Sequence, residues 1–439
     1  MDPFAGKGTP GDWGLGTPGD WGLGTPGDWG RAGESFERAV RAAQDAFGPA
    51  WIADGVAVAP GRIELLGNHI DYNGGPVLAA AIDRFIVVVL ARERGREKTL
   101  RAVAADAPDE AVTTLDAGAL VGWRNASPPP ESLDYVRGLL AGLQAPERSS
   151  LRPRLPASIA IAGDVPIGFG VSSSAALCVS LALALADGFS GPEEIVLLAQ
   201  EAEHRAGTPC GTMDQSASVS GGVIAFDGAT LGVERLSPTL GDLVFAVADS
   251  GVKRSLSTSS YPIRVAESRQ ALELAQRQLG LAIPHLAAIT REQLKVLDRD
   301  HSLPEPLLRR VHHVVEETAR VAEGRAAMLA DDWTRFGQLM TASGRSSATL
   351  YEISHPRVEE LVAEALTVDG TLGARMMGGG EGGAVLVLIS RDSVPRLEET
   401  LRSGYYARYG MAGRDGLIHI CAFAPGATYI PIEGRSESA

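Results

Sequence analysis

At 439 residues the chain has room for two domains or two closely joined lobes, since a single domain spans roughly 100 to 200 residues. Its apolar content of 45% and charged content of 21% suit a globular protein, and a formal net charge of −14 argues against nucleic acid or an anionic membrane as the main partner. The three cysteines, Cys178, Cys210 and Cys421, are far apart and show no CxxC spacing, no apolar run reaches the ~18 residues of a membrane helix, and the start of the chain lacks a secretion signal. These features point to a cytoplasmic enzyme acting on a small molecule.

The chain opens on three copies of Gly-Thr-Pro-Gly-Asp-Trp-Gly, beginning at Gly8, Gly16 and Gly24. So short a repeat, rich in glycine and proline, builds no core of its own, so residues 1–34 are read as a disordered tail. Repeated docking through Trp13, Trp21 and Trp29 is the alternative. From Ser35 the positions Phe36, Val40, Ala43 and Phe47 have helical spacing, and Trp51 to Val58 and Ile82 to Ala91 read as strands. Leu133 to Leu143 reads as a helix, Ala157 to Ala162 as a strand, and Glu194 to His204 as another helix. Later helices are expected over Tyr261 to Leu279, Pro306 to Leu329, Trp333 to Ser343 and Val358 to Ala365, with strands over Ala384 to Ile389 and Leu417 to Ala422. Strands and helices mix without regular βαβ alternation, which predicts an α+β fold.

Three glycine-rich segments carry the chemistry. Pro60-Gly-Arg62-Ile-Glu-Leu-Leu-Gly-Asn68-His69-Ile-Asp71-Tyr-Asn-Gly-Gly75 packs charged and carboxamide side chains between glycines directly after a strand. Such density is costly unless something polar binds there. Pro166-Ile-Gly168-Phe-Gly170-Val-Ser172-Ser173-Ser174-Ala-Ala precedes an apolar helix. Unpaired N–H groups at a helix start bind phosphate, and Gly168 and Gly170 let the backbone approach it while Ser172, Ser173 and Ser174 add donors. The Gly-Lys-Ser/Thr end of a Walker A loop is missing. The third segment is Met376-Met377-Gly378-Gly379-Gly380-Glu381-Gly382-Gly383.

Together with Cys210-Gly211-Thr-Met-Asp214-Gln215, these segments resemble the motifs of galactokinases within the GHMP family of small-molecule kinases. The resemblance spans about Ala50 to Ile432. It implies a two-lobed GHMP kinase fold, with an N-terminal lobe over 35–230 and a C-terminal lobe over 231–439. It also implies ATP as phosphoryl donor, a sugar as acceptor, and Mg2+ on Ser174 and Glu203. Asp214 is then the catalytic carboxylate and Arg62 its cationic partner, countering charge on the transferred group. Asn68, His69, Asp71, Gly211 and Tyr261 match sugar-pocket positions. The alternative for Glu203 is a solvated side chain at a helix end.

Several residues depart from the family pattern. Asn68 stands where galactokinases have glutamate, and its carboxamide could donate to a C6 carboxylate, so galacturonate is an alternative substrate. N-acetylgalactosamine is another. Ser132 replaces a common tryptophan near Tyr135, and Gly344 a common histidine. Glu381 replaces an aromatic or apolar residue, and its side chain is expected to point away from the phosphates. A sugar sensor without transferase activity predicts damage at the phosphate loop or at Asp214, and both are intact.

Overall fold

The structure, a computed structural model, describes residues 30–95, 97–107, 112–126, 129–253, 259–300 and 303–432. The tryptophan repeat lies outside the described residues. Helix α1 (Arg31–Phe47) leads into β1 (Gly55–Leu66), β2 (Pro76–Arg92), β3 (Thr99–Ala104) and β4 (Thr113–Asp116). Next come α2 (Ser132–Gly142), β5 (Arg152–Pro153), β6 (Ala157–Gly163), α3 (Ser173–Leu185) and β7 (Ala186–Asp187). Helices α4 (Pro192–Ala206) and α5 (Met213–Ser220) precede the hairpin β8 (Val223–Asp227) and β9 (Val233–Leu236).

The second half runs through β10 (Leu243–Val252), α6 (Tyr261–Leu279), α7 (Arg291–Asp300), α8 (Glu305–Leu329), α9 (Trp333–Thr349) and α10 (Pro356–Ala365). It closes with β11 (Thr371–Met376), β12 (Gly383–Ser390), α11 (Val394–Leu401), β13 (Ile418–Cys421) and β14 (Thr428–Pro431). The first sheet has the order β14-β1-β2-β6-β3-β4, with β8 and β9 added along the far part of β2. Only β3 and β6 pair in parallel among its described ladders. The second sheet has the order β11-β12-β10-β13, and β5 and β7 form a short pair of their own.

Alternation along the strands decides what covers each face of the first sheet. Val56 and Val58 of β1, with Phe85, Val87 and Val89 of β2, cluster with Ala39 and Ala43 of α1. Ala57, Ala59, Val88 and Leu90 face the other way, into the core that holds α3. Helix α3 is buried without a break from Ala175 to Leu185, as expected of a helix that is apolar all round. Both faces of the sheet are therefore covered, and β1 is buried over its whole length. In the second lobe α9 packs on β11, and α8 on α9. Gly344 makes that contact possible, because a Cβ there would stand 2.8 Å from the Cβ of Arg375.

The lobe boundaries differ from the sequence expectation in three places. Helix α1 begins at Arg31, within the span assigned to the tail, because its first turn already buries Ala32 and Ser35. Strand β9 pairs with β8 and so carries the first sheet to Leu236, past the expected boundary at 230. The last strand, β14, returns to pair with β1, so the end of the chain also belongs to the first sheet. Strand β1 itself runs on to Leu66, through the first half of the signature.

Candidate active site

That extension of β1 positions the first two charged residues. Ile63 and Leu65 are fully buried in the core, each contributing about 1.5–3 kcal/mol, and they orient the strand. Arg62 and Glu64 project from the opposite side, and both line a cavity of about 430 Å³. The phosphate loop forms one wall, with Gly168, Gly170, Ser173 and Ser174 all on the lining. Gly168 and Gly170 take φ of 85° and 72°, and Ser172, the residue before α3, adopts the left-handed conformation at 59°. Such a turn exposes the first N–H groups of α3 to the cavity.

Asp214 sits in the first turn of α5, where the helix dipole favours a carboxylate. Arg62 grips it through two nitrogens: Nε donates to Oδ1 at 2.8 Å, and an Nη lies 2.6 Å from the same oxygen. The second Nη donates to the Gly170 carbonyl at 2.6 Å, tying the pair to the phosphate loop. Ser172 Oγ donates to the other Asp214 oxygen. Ser172, expected at the phosphates, lines the cavity with the rest of the loop, and its hydroxyl also orients Asp214.

On the opposite wall, His69 Nδ1 lies 2.9 Å from the Tyr72 hydroxyl, which in turn lies 3.0 Å from that of Tyr351. Tyr261 packs on His69 with ring centroids 5.0 Å apart. Gly211 abuts Asp71 so closely that a Cβ would collide with the carboxylate. Desolvation raises the Asp71 carboxyl to about 7 against the Tyr72 backbone N–H, and the charges of Asp214 and Glu64 push the same way. This half of the cavity is a set of fixed donors and acceptors suited to a hydroxylated ring.

Glu203 is not the solvated side chain weighed above. It is 2% exposed, and burial raises its pKa to about 7 despite hydrogen bonds from Ser174 and Gln215. Ser174 and Glu203 are thus neighbours on the lining, at the phosphate end.

Asn68 is a correction. Its side chain does not line the cavity: Nδ2 donates to Glu64 at 3.1 Å and to the Gly378 carbonyl at 2.9 Å, and Oδ1 accepts from Ser347 at 2.9 Å. Both N–H donors and the carbonyl oxygen of the carboxamide are bonded within the protein. Sequence reasoning missed Glu64, which supplies the carboxylate on this wall and pairs with the fully buried Arg375. The signal was there, because Arg62 and Glu64 are two apart on a strand and must share a face. Tyr72 and Tyr351 were also missed; they stand behind the wall, in the hydroxyl chain that holds His69. Gly378 and Gly379 of the third motif line the cavity, whereas Glu381 turns to Ser260 instead.

The chain is similar to known proteins over most of its length. The galactokinase galactose-binding signature matches residues 44–92, the GHMP kinase N-terminal domain 135–222 and the GHMP kinase C-terminal domain 325–407. The galactokinase of Roseiflexus sp. (strain RS-1) is 35% identical over 392 residues, covering 86% of this chain and 94% of the relative. The chain belongs to the galactokinase family. The galactokinase of Thermotoga maritima is 33% identical over 360 residues, covering 80% of this chain and 94% of its own. The crystal structure of Lactococcus lactis galactokinase complexed with galactose superposes with a TM-score of 0.78 at 27% identity, covering 88% of this chain and 97% of that one. A mevalonate kinase shares the GHMP fold at a TM-score of 0.59 and 16% identity. Galactokinase membership makes ATP the second substrate. Among the described residues no helix is long and apolar enough to cross a membrane.

Proposed function

We propose that this galactokinase family member transfers the γ-phosphoryl group of ATP to the anomeric hydroxyl of D-galactose, giving α-D-galactose 1-phosphate and ADP. The observation that carries the proposal is the Arg62–Asp214 pair, bonded to the phosphate loop at Gly170 and opening on the same cavity as His69, Asp71 and Tyr261. Asp214 accepts the proton of the sugar hydroxyl as its oxygen bonds to the γ-phosphorus, and the bond to the β-phosphate oxygen breaks to release ADP. Ser172 and Arg62 hold the carboxylate in place for that transfer. Arg62 also balances charge that builds on the phosphoryl oxygens. Loop N–H groups at Ser173 and Ser174 hold the phosphates, while His69, Asp71, Gly211 and Tyr261 hold the sugar.

Ser174 and Glu203 are the residues that would hold Mg2+. Among the described residues no group of three or more His, Cys, Asp or Glu forms a metal cage. Magnesium in a kinase needs only one or two protein oxygens beside the phosphates, and a buried carboxylate bonded to a serine at the phosphate wall fits that need. The ion would neutralise phosphate charge. The cytoplasm is its working compartment, in keeping with three free thiols at Cys178, Cys210 and Cys421.

The cavity favours a neutral sugar. Glu64, Asp71 and Asp214 all line it, so hydroxyls find acceptors, whereas a C6 carboxylate would find the lining cation Arg62 already held by Asp214. Asn68, the residue that raised galacturonate as a substrate, is turned away from that space.

Magnesium-dependent ADP release with galactose, galacturonate, N-acetylgalactosamine, glucose and arabinose tests the reading, with Asp214→Asn as control. Turnover on galactose that vanishes in the variant is expected. Galactose binding without turnover would instead identify a sensor.

A further inference from the structure

Glu381 has glycine on both sides in the third motif, yet it holds the left-handed backbone conformation at φ +58°. Glycine takes that conformation without strain and glutamate does not, so the side chain needs a reason to be there. Its carboxylate Oε2 accepts the backbone N–H of Ser260 at 3.1 Å, and its own N–H donates to the Ile353 carbonyl at 2.6 Å. Ser260 is the residue before the 19-residue helix α6, and its own side chain makes no capping bond. Ser259 Oγ accepts the N–H of Tyr261 from within the local sequence, and the carboxylate from the glycine-rich turn adds a second tie, to the N–H of Ser260, at the end of the helix where the dipole favours an anion.

The next residue is Tyr261. It is 8% exposed, its ring lies 5.0 Å from that of His69 and 5.4 Å from that of Tyr72, and it lines the cavity. At the other end of the same turn, Gly378 and Gly379 line the cavity beside the phosphate loop, and the Gly378 carbonyl accepts from Asn68. Arg264, one turn into α6, is engaged by Glu267 and the Glu352 carbonyl. Glu381 itself does not line the cavity.

We propose that Glu381 is a positioning residue for the sugar. It pins the start of α6 to the glycine-rich turn and so fixes the Tyr261 ring against galactose, acting through Tyr261 and touching no substrate. The proposal rests on the galactokinase reading above and adds a contact that joins the phosphate-side turn to the sugar wall.

The test compares Glu381→Gly and Glu381→Gln with the unaltered full chain. Glu381→Gly relieves the backbone strain, so its thermal midpoint should not fall. Its KM for galactose should rise about five- to tenfold, with kcat within about twofold and the KM for ATP unchanged. Glu381→Gln keeps an acceptor oxygen and should recover most of the affinity. Hydrogen exchange of the Ser260 amide, measured without ligands, should quicken in Glu381→Gly and much less in Glu381→Gln. An unchanged galactose KM in Glu381→Gly overturns the proposal, as does unchanged exchange at Ser260. Lost stability with KM untouched would reduce the contact to a structural one and also overturn it. Absence of galactose turnover in the unaltered chain would sink the kinase reading instead, while the exchange data would still judge the pin.

Discussion

Arg62 and Glu64 stand two residues apart on β1, and each meets an opposite charge, but the two pairs have opposite surroundings. Arg62 holds Asp214, whose side chain keeps 24% exposure to the cavity. Glu64 holds Arg375, which has no exposure at all and is further tied to Ser343 and to the Met376 carbonyl. Behind it, Glu317 accepts from the backbone N–H groups of Gly67 and Asn68 and from Ser343, and His313 bonds the Asn68 carbonyl at 3.0 Å. A pair with one open side is arranged for a ligand. The second pair is closed on its Arg375 side, where the guanidinium nitrogens are all engaged, so it joins the two lobes while Glu64 borders the cavity. The same strand therefore carries chemistry at one residue and architecture at the next but one.

Asp214→Asn gives the largest effect if that contrast is right. Removing the proton acceptor while keeping its shape should lower kcat about 10²–10⁴-fold and leave the unfolding midpoint nearly unchanged. Steady-state rates beside thermal denaturation decide it; a variant that loses stability more than rate would make the pair structural.

The enclosed pair should respond in the opposite sense. Arg375→Ala strands the Glu64 carboxylate in the interior, a loss of about 3–5 kcal/mol for a broken buried pair. Urea unfolding should show it. If Arg375→Ala unfolds like the unaltered protein and only turnover suffers, the two regions have been assigned the wrong way round.

How much of this contrast could be read from the chain depends on the range of the forces involved. Helix α6 is found over the expected Tyr261–Leu279, because the proline in its first turn and its periodicity are local. The phosphate loop was legible because glycine spacing dictates its turn. Arg62, His69, Asp71, Asp214 and Tyr261 converge on one cavity as the family motifs imply. Asn68 was misread because the direction of a side chain after a strand end depends on Ser347 and Gly378, about 280 and 310 residues away in sequence. The return of β14 to β1 escaped for the same reason, since the four residues Thr428–Pro431 carry little periodicity of their own. Glu381 was expected to turn from the phosphates, but nothing local announced Ser260 as its partner.

Acid should separate the two regions by their titration. Asp71 and Glu203 sit near 7, so kcat/KM should fall about tenfold per pH unit below that value if either must be deprotonated. In the enclosed region Glu317 is drawn down to about 2: burial opposes this, but Arg320, His313 and Arg375 prevail. Its folded pKa lies below the ordinary 4.5, so its stabilisation is present above that pH and drains as pH falls towards 2. Burial likewise depresses His313 from 6.5 to about 4, so its share drains over that interval. Activity should therefore be largely lost by pH 5 while circular dichroism still reports a folded chain. Coincident loss of both would erase the distinction.

The smallest effect, and the sharpest discriminator, lies at Asn68. Asn68→Ala removes the donor to Glu64 and Gly378 and leaves the Ser347 hydroxyl unpaired, at a cost of about 1–3 kcal/mol. Because the carboxamide faces the protein, the ratio of kcat/KM for galactose to that for galacturonate should change less than about threefold. Glu64→Gln is the counterpart, since it removes a charge from the cavity wall itself and should relax discrimination against the uronate. If selectivity follows Asn68 and ignores Glu64, the carboxamide must turn into the cavity when sugar arrives. The wall carboxylate would then be a support for it, reversing the roles that the two residues hold in the structure.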